Sequence, residues 1–209
     1  MPISDVQKVK RSRYVRGCVA FLLALDGKTV VKRKAFVETR DVLAAMIAIY
    51  SAQRDGAIAK MSLNELKKAR PENDDVTGEQ FHVVAVAEHK TSRKYGCALL
   101  PLPEKVFDAL NAWVKFVRPL AVGCTNEPES KVFVTLRGVS FKSGYVSKLV
   151  ERTFKRCGVA FHNITMYRKT VATRFHAERP SSRGPLSRQM THRLTTGKLS
   201  LLCSLARSG

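Results

Sequence analysis

The sequence has few acidic residues for its size. Of 209 residues, 37 are Lys or Arg and only 17 are Asp or Glu, which gives a formal net charge of +20 at pH 7. Charge of one sign destabilises a compact chain by self-repulsion, and a small domain stays soluble with a net charge of about 2–8. The excess therefore favours a polyanionic partner. Nucleic acid is the first candidate because each neutralised phosphate releases counterions. The alternative is a basic surface that serves solubility alone.

Long apolar segments and paired cysteines are missing as well. The longest apolar runs, 18–25 and 42–50, are shorter than the roughly 18 residues that a membrane span requires. The basic start is followed by no clear cleavage site for a secretion signal. The five cysteines are far apart and form no C-x-x-C pair, which argues against a zinc knuckle or a disulfide framework and fits a reducing compartment. We therefore expect a protein that is not secreted and does not span a membrane.

Aromatic residues and metal-ligand patterns are also scarce. Aromatics make up 8% of the chain and are not interleaved with its basic segments, which disfavours a single-strand binder that stacks bases. The histidines His82, His89, His162 and His176 have no Cys or carboxylate at ligand spacing. We expect no metal and no cofactor.

What is abundant is positive charge, especially towards the end of the chain. Residues 142–209 hold fourteen Lys and Arg but only two acids, Glu151 and Glu178. Residues 1–38 are predicted to be a basic N-terminal arm or the remnant of a preceding domain, and residues 39–209 to form one domain.

The hydrophobic pattern predicts a mainly α domain with one small antiparallel β-hairpin (α+β). A buried helix is predicted from Thr39 to Tyr50, with Gly56 breaking it, and a capping box at 62–65 opens the next. β-branched residues predict a strand over 81–88 and a return strand over 97–100, whereas 71–80 is predicted to be a loop. Further helices are predicted over 103–118, 143–157 and 165–177, with two short ones in 186–205.

Four cationic positions have settings suited to chemistry on a phosphodiester. Arg54 follows the buried helix, Lys90 lies near the hairpin tip, Arg168 lies in the first turn of a basic helix, and His192 follows in 189–192. Two guanidiniums can clamp the non-bridging oxygens of a phosphate and offset developing charge, while a lysine or histidine transfers a proton.

The order of these sequence boxes resembles that of the tyrosine recombinases (the phage-integrase family). Within that family it is most similar to the transposon-derived members from animal genomes. The resemblance covers roughly residues 39–202. It comprises the boxes QRDG (53–56), MSLNEL (61–66), EHKT (88–91), the Arg118-Pro119 helix end, VFV (132–134) with Gly138, TMYRKT (165–170) and MTH (190–192).

The resemblance implies roles for individual residues. Arg54 and Arg168 would clamp the phosphate, Lys90 would be the hairpin general acid, with Lys94 near enough to compete, and His192 would support the transition state. A basic DNA-contacting face is expected to include Lys148, Arg152, Lys169 and Arg174.

Two positions depart from the family pattern. Thr165 stands where the family usually has a histidine, and Leu201 stands where the nucleophilic tyrosine is expected; no tyrosine follows Tyr167. Leucine has no nucleophile, so a covalent phosphotyrosyl intermediate cannot form there. Tyr167 is a poor substitute, because beside a clamping arginine on a helix its side chain would point elsewhere.

The sequence-based hypothesis is thus a domain that binds duplex DNA, is impaired in strand cleavage, and is a possible homo-oligomer on DNA. It would be nuclear in a eukaryote and cytoplasmic otherwise. Plainer roles stay open: a structural helix-end cation for Arg54, a solvated turn lysine for Lys90, a surface or N-cap residue for His192, and a simple phosphate contact for Arg168. Two rivals also stay open, a live recombinase with an unusual nucleophile and a helical nucleic-acid-binding module unrelated to recombinases.

Overall fold

Helices dominate the chain. The computed structural model describes residues 3–74, 78–89, 92, 96–142 and 144–178, with the backbone alone at residues 3 and 174–178. The helices are α1 (Ile3–Arg11), α2 (Arg13–Leu23), α3 (Arg33–Ser51), α4 (Asp55–Lys60), α5 (Leu63–Lys67), α6 (Glu104–Ala112), α7 (Tyr145–Arg156) and α8 (Ile164–Glu178). A π-helical turn (Trp113–Val117) and a 3-10 turn (Arg118–Leu120) continue α6. The helices at 63–67, 145–156 and 164–178 lie where the sequence predicted them.

Three strands form one antiparallel sheet in the order β1–β2–β3, namely β1 (Arg70–Asn73), β2 (Gln80–Val86) and β3 (Ala98–Pro103). The β2–β3 pair is the predicted hairpin, with Val84 opposite Leu100. β1 lies inside the segment predicted to be a loop. Its charged residues and Pro71 give a weak strand signal, and proline is tolerated there because β1 is an edge strand. The mainly helical architecture with a small antiparallel sheet confirms the predicted fold class.

Helix α3 lies at the centre of the core. It is buried along most of its length, as its nearly all-round apolar pattern predicted. Helices α2 and α7 pack against it, and so does the sheet face that carries Val84 and Leu100. Trp113 fills the space between Phe36 and Phe133, with ring centroids 5.6 Å apart on both sides.

The N-terminal residues, predicted to be a basic arm or the remnant of a preceding domain, are helical in the part that the structure describes. Residues 3–23 form α1 and α2, and Val6, Val9, Val15 and Leu22 are buried in the same core as α3. The apolar residues of α1 recur at a helical spacing and Lys8 between them is exposed, so one helix carries both charge and a packing face. The expected boundary after residue 38 falls inside α3.

A buried arginine fixes the loop before α7. Arg118 is 1% exposed and donates to the carbonyl oxygens of Lys131 (2.9 Å) and Thr125 (2.8 Å). These bonds hold the chain where Val132 and Phe133 enter the core. Because a buried charge is costly unless its donors are satisfied, this cation has a structural role.

Candidate nucleic-acid interface

The site begins where α3 ends. Ala52 adopts a left-handed conformation (φ 46°) and stops the helix, and the Ser51 hydroxyl accepts the backbone N–H of Gln53 at 3.2 Å. The chain turns, and Arg54 precedes the first residue of α4. Gly56, predicted to break the helix, instead lies within α4; the αL residue four positions earlier is the cause of the turn.

Two neighbouring side chains of α8 bind carbonyl groups at this helix end. The Tyr167 hydroxyl donates to the carbonyl of Ile49 at 2.7 Å, and Arg168 Nε donates to the carbonyl of Ala52 at 2.7 Å. The last four carbonyls of a helix have no partner within the helix, so such donors satisfy them. The two bonds fix α8 against α3 and bring residue 168 next to residue 54.

Arg168 lies beside the turn that carries Arg54, because its Nε binds the carbonyl of Ala52, two residues before Arg54. Burial, and after it the charge of Arg54, lowers the pKa of the Arg168 guanidinium to about 10, while Asp55 raises it. Each arginine is partly exposed. Two adjacent, partly desolvated cations repel each other, so an anion bound beside both relieves an unfavourable interaction.

Asp55 organises the same corner, and the sequence reasoning missed it. Its Oδ1 accepts the N–H of Gly56 and its Oδ2 accepts the N–H of Gly144, both at 2.8 Å. Gly144 caps α7, so one carboxylate ties the start of α7 to the start of α4. The available signal was an acid directly after the first arginine of the predicted pair.

The base of the β2–β3 hairpin is tied to the same region. The Glu88 carboxylate accepts hydrogen bonds from Lys60, the last residue of α4, and from Lys131, and both bonds lower the pKa of Glu88. Glu65, the acid of the confirmed capping box, accepts the N–H of Ala87 at 2.8 Å. These contacts fix the orientation of the hairpin relative to α4 and α5.

The remaining predicted residues have varied positions. Lys148 on α7 and Lys169 on α8 are exposed, as is Thr165 in the first turn of α8. The α8 N-terminus is capped by Asn163, whose Oδ1 accepts the N–H of Met166 at 2.8 Å, and not by Thr165. Outside the described residues lie Lys90, Lys94, His192 and Leu201, together with the side chain of Arg174.

Arg152, predicted to contact DNA, is held by an acid of α3. Its guanidinium binds Asp41 Oδ2 through Nε at 2.8 Å and through a terminal nitrogen at 2.7 Å. Its side chain is 45% exposed and that of Asp41 is 6% exposed. This pair joins α3 and α7, so at least part of the charge of Arg152 is neutralised within the fold.

Tyr167 is unsuited to replace a missing nucleophile. Its hydroxyl is committed to the Ile49 carbonyl, and burial raises its pKa well above the ordinary value for tyrosine. Because attack requires deprotonation of an accessible hydroxyl, both observations oppose it. The expectation that this side chain points away from the clamp agrees with its position.

Two other kinds of site, a metal centre and a membrane span, are absent from the described residues. Among residues 3–178 as far as they are described, no group of three or more His, Cys, Asp or Glu could hold a metal ion. In the same part of the chain, every helix is too short or too polar to cross a membrane.

Comparison with known proteins shows the fold. No family model and no curated protein matches the chain. Among solved structures, it is similar to the XerH site-specific recombinase bound to difH substrate in a pre-cleavage complex (TM-score 0.53, 16% identity, 90% of this chain and 48% of that one). It is also similar to XerH in a post-cleavage complex with palindromic difH (TM-score 0.53, 15% identity, 94% and 49%).

These matches span nearly all of this chain but about half the length of the XerH chains. The fold is therefore that of a tyrosine-recombinase catalytic domain. An identity of 15–16% shows the fold alone, and the functions of individual residues have to be argued from their chemistry.

Proposed function

We propose that this chain binds duplex DNA as a tyrosine-recombinase-like domain, with Arg54 and Arg168 contacting one backbone phosphate. The observation that carries the proposal is the hydrogen bond from Arg168 to the carbonyl of Ala52, which brings residue 168 to the turn that holds Arg54, 114 positions away in sequence. Guanidinium groups match the geometry of phosphate oxygens and form charge-assisted hydrogen bonds with them. The net charge of +20 and the fold shared with DNA-bound recombinases support the same partner.

The proposal includes the loss of complete strand cleavage by this chain alone. Leu201 occupies the position expected of the nucleophile, no tyrosine follows Tyr167 in the sequence, and Tyr167 is buried. Without a hydroxyl to attack the phosphate, the phosphotyrosyl intermediate cannot form. What is left is backbone-directed binding, whose affinity falls steeply as salt concentration rises.

Further parts of the proposal rest on sequence. We infer a homo-oligomer assembled on DNA, a transposon-derived origin, and a nuclear location if the source is a eukaryote. The basic cluster at 32–34 and the basic residues of α1 are compatible with nuclear import. Lys90 and His192 would assist at the same phosphate.

The first test compares duplex binding by two double variants, Arg54→Ala/Arg168→Ala and the control Lys28→Ala/Lys115→Ala. The control replaces two exposed lysines, of which Lys28 lies just past the C-terminal end of α2. Hydrogen bonds to charged groups are worth about 1.5–3 kcal/mol each, so the loss of two arginines should weaken binding by roughly 100-fold or more. The control should lose a few-fold at most at the same salt concentration. Equal losses would favour a nucleic-acid-binding module without a phosphate clamp.

Folding and cleavage are checked with the same proteins. Since Arg168 also bonds Ala52, Arg54→Ala alone is the cleaner variant, and thermal melting confirms that each protein is folded. A duplex carrying a nick near the scissile phosphate traps covalent intermediates, and the wild-type chain should form no adduct with it. An adduct would show a live enzyme. If Leu201→Tyr alone forms one, the rest of the site is intact.

A further inference from the structure

Lys10 of α1 lies near the helix end that holds the arginine pair, and Lys8 lies at the connection from α7 to α8. Lys10 Nζ lies 4.6 Å from the centre of the Tyr50 ring, near the end of α3. Lys8 Nζ lies 3.4 Å from the carbonyl oxygen of Gly158, just past the end of α7. Helix α1 therefore lies beside the last turn of α3 and the connection from α7 to α8.

Tyr50 links this helix to the proposed phosphate site. It precedes by two residues Ala52, whose carbonyl binds Arg168, and it follows Ile49, whose carbonyl binds Tyr167. Its ring is close enough to Tyr167 to raise the pKa of that hydroxyl. The ammonium of Lys10 thus lies within one turn of the helix end on which the second arginine is held.

The charge of α1 faces outward while its apolar residues hold it in place. Val6 and Val9 are 3% and 0% exposed, whereas Lys8 and Arg11 are exposed. Asp5 is the only acid of the helix. In the described part of the chain no carboxylate forms a salt bridge with Lys8.

We propose that α1 is part of the DNA-binding surface, with Lys8 and Lys10 contacting backbone phosphates of the duplex. These phosphates lie next to the one held by Arg54 and Arg168, on the same DNA strand or on the complementary strand. This inference rests on the proposed function. A helix fixed by packing loses less conformational entropy on binding than a mobile arm does.

The experiment measures the salt dependence of duplex binding for Lys8→Ala/Lys10→Ala. Each phosphate contact contributes about 0.9 to the slope of log K against log salt for duplex DNA. Removing two contacts should therefore reduce the magnitude of the slope by about 2 and weaken binding at low salt. Lys8→Arg/Lys10→Arg keeps both charges and should keep the wild-type slope.

The matched control is Lys28→Ala/Lys115→Ala, which removes the same charge. Gly27 lies against Phe116, so these two lysines are near each other and are separated from α1 by the length of α2. The control slope should stay within about 0.5 of wild type. Lys8→Ala alone, which should lower the slope by about 1, covers the case in which loss of the Tyr50 contact unfolds the double variant.

The outcomes separate this inference from the function on which it rests. If the wild-type chain binds duplex DNA through the arginine pair but the α1 and control variants have equal slopes, α1 is outside the interface and the inference is wrong. If the wild-type chain binds no duplex, the proposed function itself fails. A reduced slope in the α1 variants alone supports both.

Discussion

The Tyr167 hydroxyl and the Arg168 guanidinium fix the position of α8 against α3. Tyr167 and Arg168 are adjacent in sequence, and they donate to two carbonyls three residues apart at the end of α3. Tyr167 is almost fully buried, whereas Arg168 is partly exposed. Tyr167 therefore anchors the helix, while Arg168 contacts the end of α3 two residues before Arg54.

The anchoring role of Tyr167 predicts the effect of Tyr167→Phe. The variant removes the donor and leaves the buried Ile49 carbonyl without it, so the free energy of unfolding should fall by about 1–2 kcal/mol. Urea denaturation followed by circular dichroism measures the change. Tyr145→Phe is the control, since in the described residues its hydroxyl has no hydrogen bond while its ring packs on Phe141; it should change stability by less than about 0.5 kcal/mol.

Adduct formation with the nicked duplex is a second measurement on Tyr167→Phe. An adduct that the wild-type chain forms and Tyr167→Phe does not would identify Tyr167 as a nucleophile and contradict its anchoring role.

At the scale of elements, the sequence predicts what local signals encode. The capping box at Ser62 and Glu65 forms as expected, and so does the hairpin, because both depend on side chains within a few residues. The end of α3 is different. Gly56 is the stronger helix breaker by type, yet Ala52 takes the left-handed conformation while its methyl is fully buried in the core. Tertiary packing, which no local pattern reports, selects that position.

The residues of the candidate site also fall into those that the sequence indicated and those that it did not. The order of the boxes around Arg54 and Arg168 was visible in the sequence, and the resemblance that it carries implied that the two arginines act on one phosphate. Asp55 and Glu88 were not identified, because their roles depend on partners 89 and 43 residues away. Residues 3–11 were not predicted to form a helix because charge dominates their composition, although Val6 and Val9 are at helical spacing.

The contact between α3 and α7 depends on one buried acid. Asp41 accepts from Arg40 Nε at 3.1 Å and from Arg152 Nε at 2.8 Å. Arg40 is 3% exposed and lies between the rings of Phe36 and Phe141, 5.7 and 5.5 Å from their centroids. Removing the carboxylate charge leaves the buried guanidinium of Arg40 uncompensated.

We therefore expect Asp41→Asn to lower the free energy of unfolding by about 3–5 kcal/mol, the usual cost of breaking a buried pair. Arg152→Ala should cost about 1 kcal/mol, because this arginine is partly solvated and Arg40 still pairs with Asp41. Urea denaturation measures both. A larger loss for Arg152→Ala would contradict the assignment of Arg40 as the buried partner. Comparing the DNA affinity of Arg152→Ala with that of Lys148→Ala, one turn earlier, tests whether Arg152 also contacts DNA.

At the scale of the whole molecule, positive charge acts in opposite directions on stability and on binding. The free chain carries +20 and repels itself. In the described part, Lys60 and Arg156 are each about half exposed in their pairs with acids, and pairs near the surface contribute about 0–1 kcal/mol each. Self-repulsion therefore outweighs attraction at the surface, whereas a bound polyanion reverses the balance.

This imbalance predicts opposite responses to salt. The Debye length is about 10 Å at 0.1 M salt and shorter above it, so raising NaCl from about 50 to about 300 mM screens self-repulsion. The melting temperature of the free protein should then rise by a few degrees.

Over the same range of salt concentration the affinity for duplex DNA should fall by roughly 10³-fold or more. A short duplex should accordingly raise the melting temperature at low salt and have little effect at high salt, since a ligand stabilises the folded state more the further its concentration exceeds the Kd. Differential scanning fluorimetry of the free and DNA-bound protein measures both trends. A melting temperature of the free protein that falls with salt would show that attractive ion pairs dominate the surface, and would remove the argument that the charge is retained for a polyanionic partner.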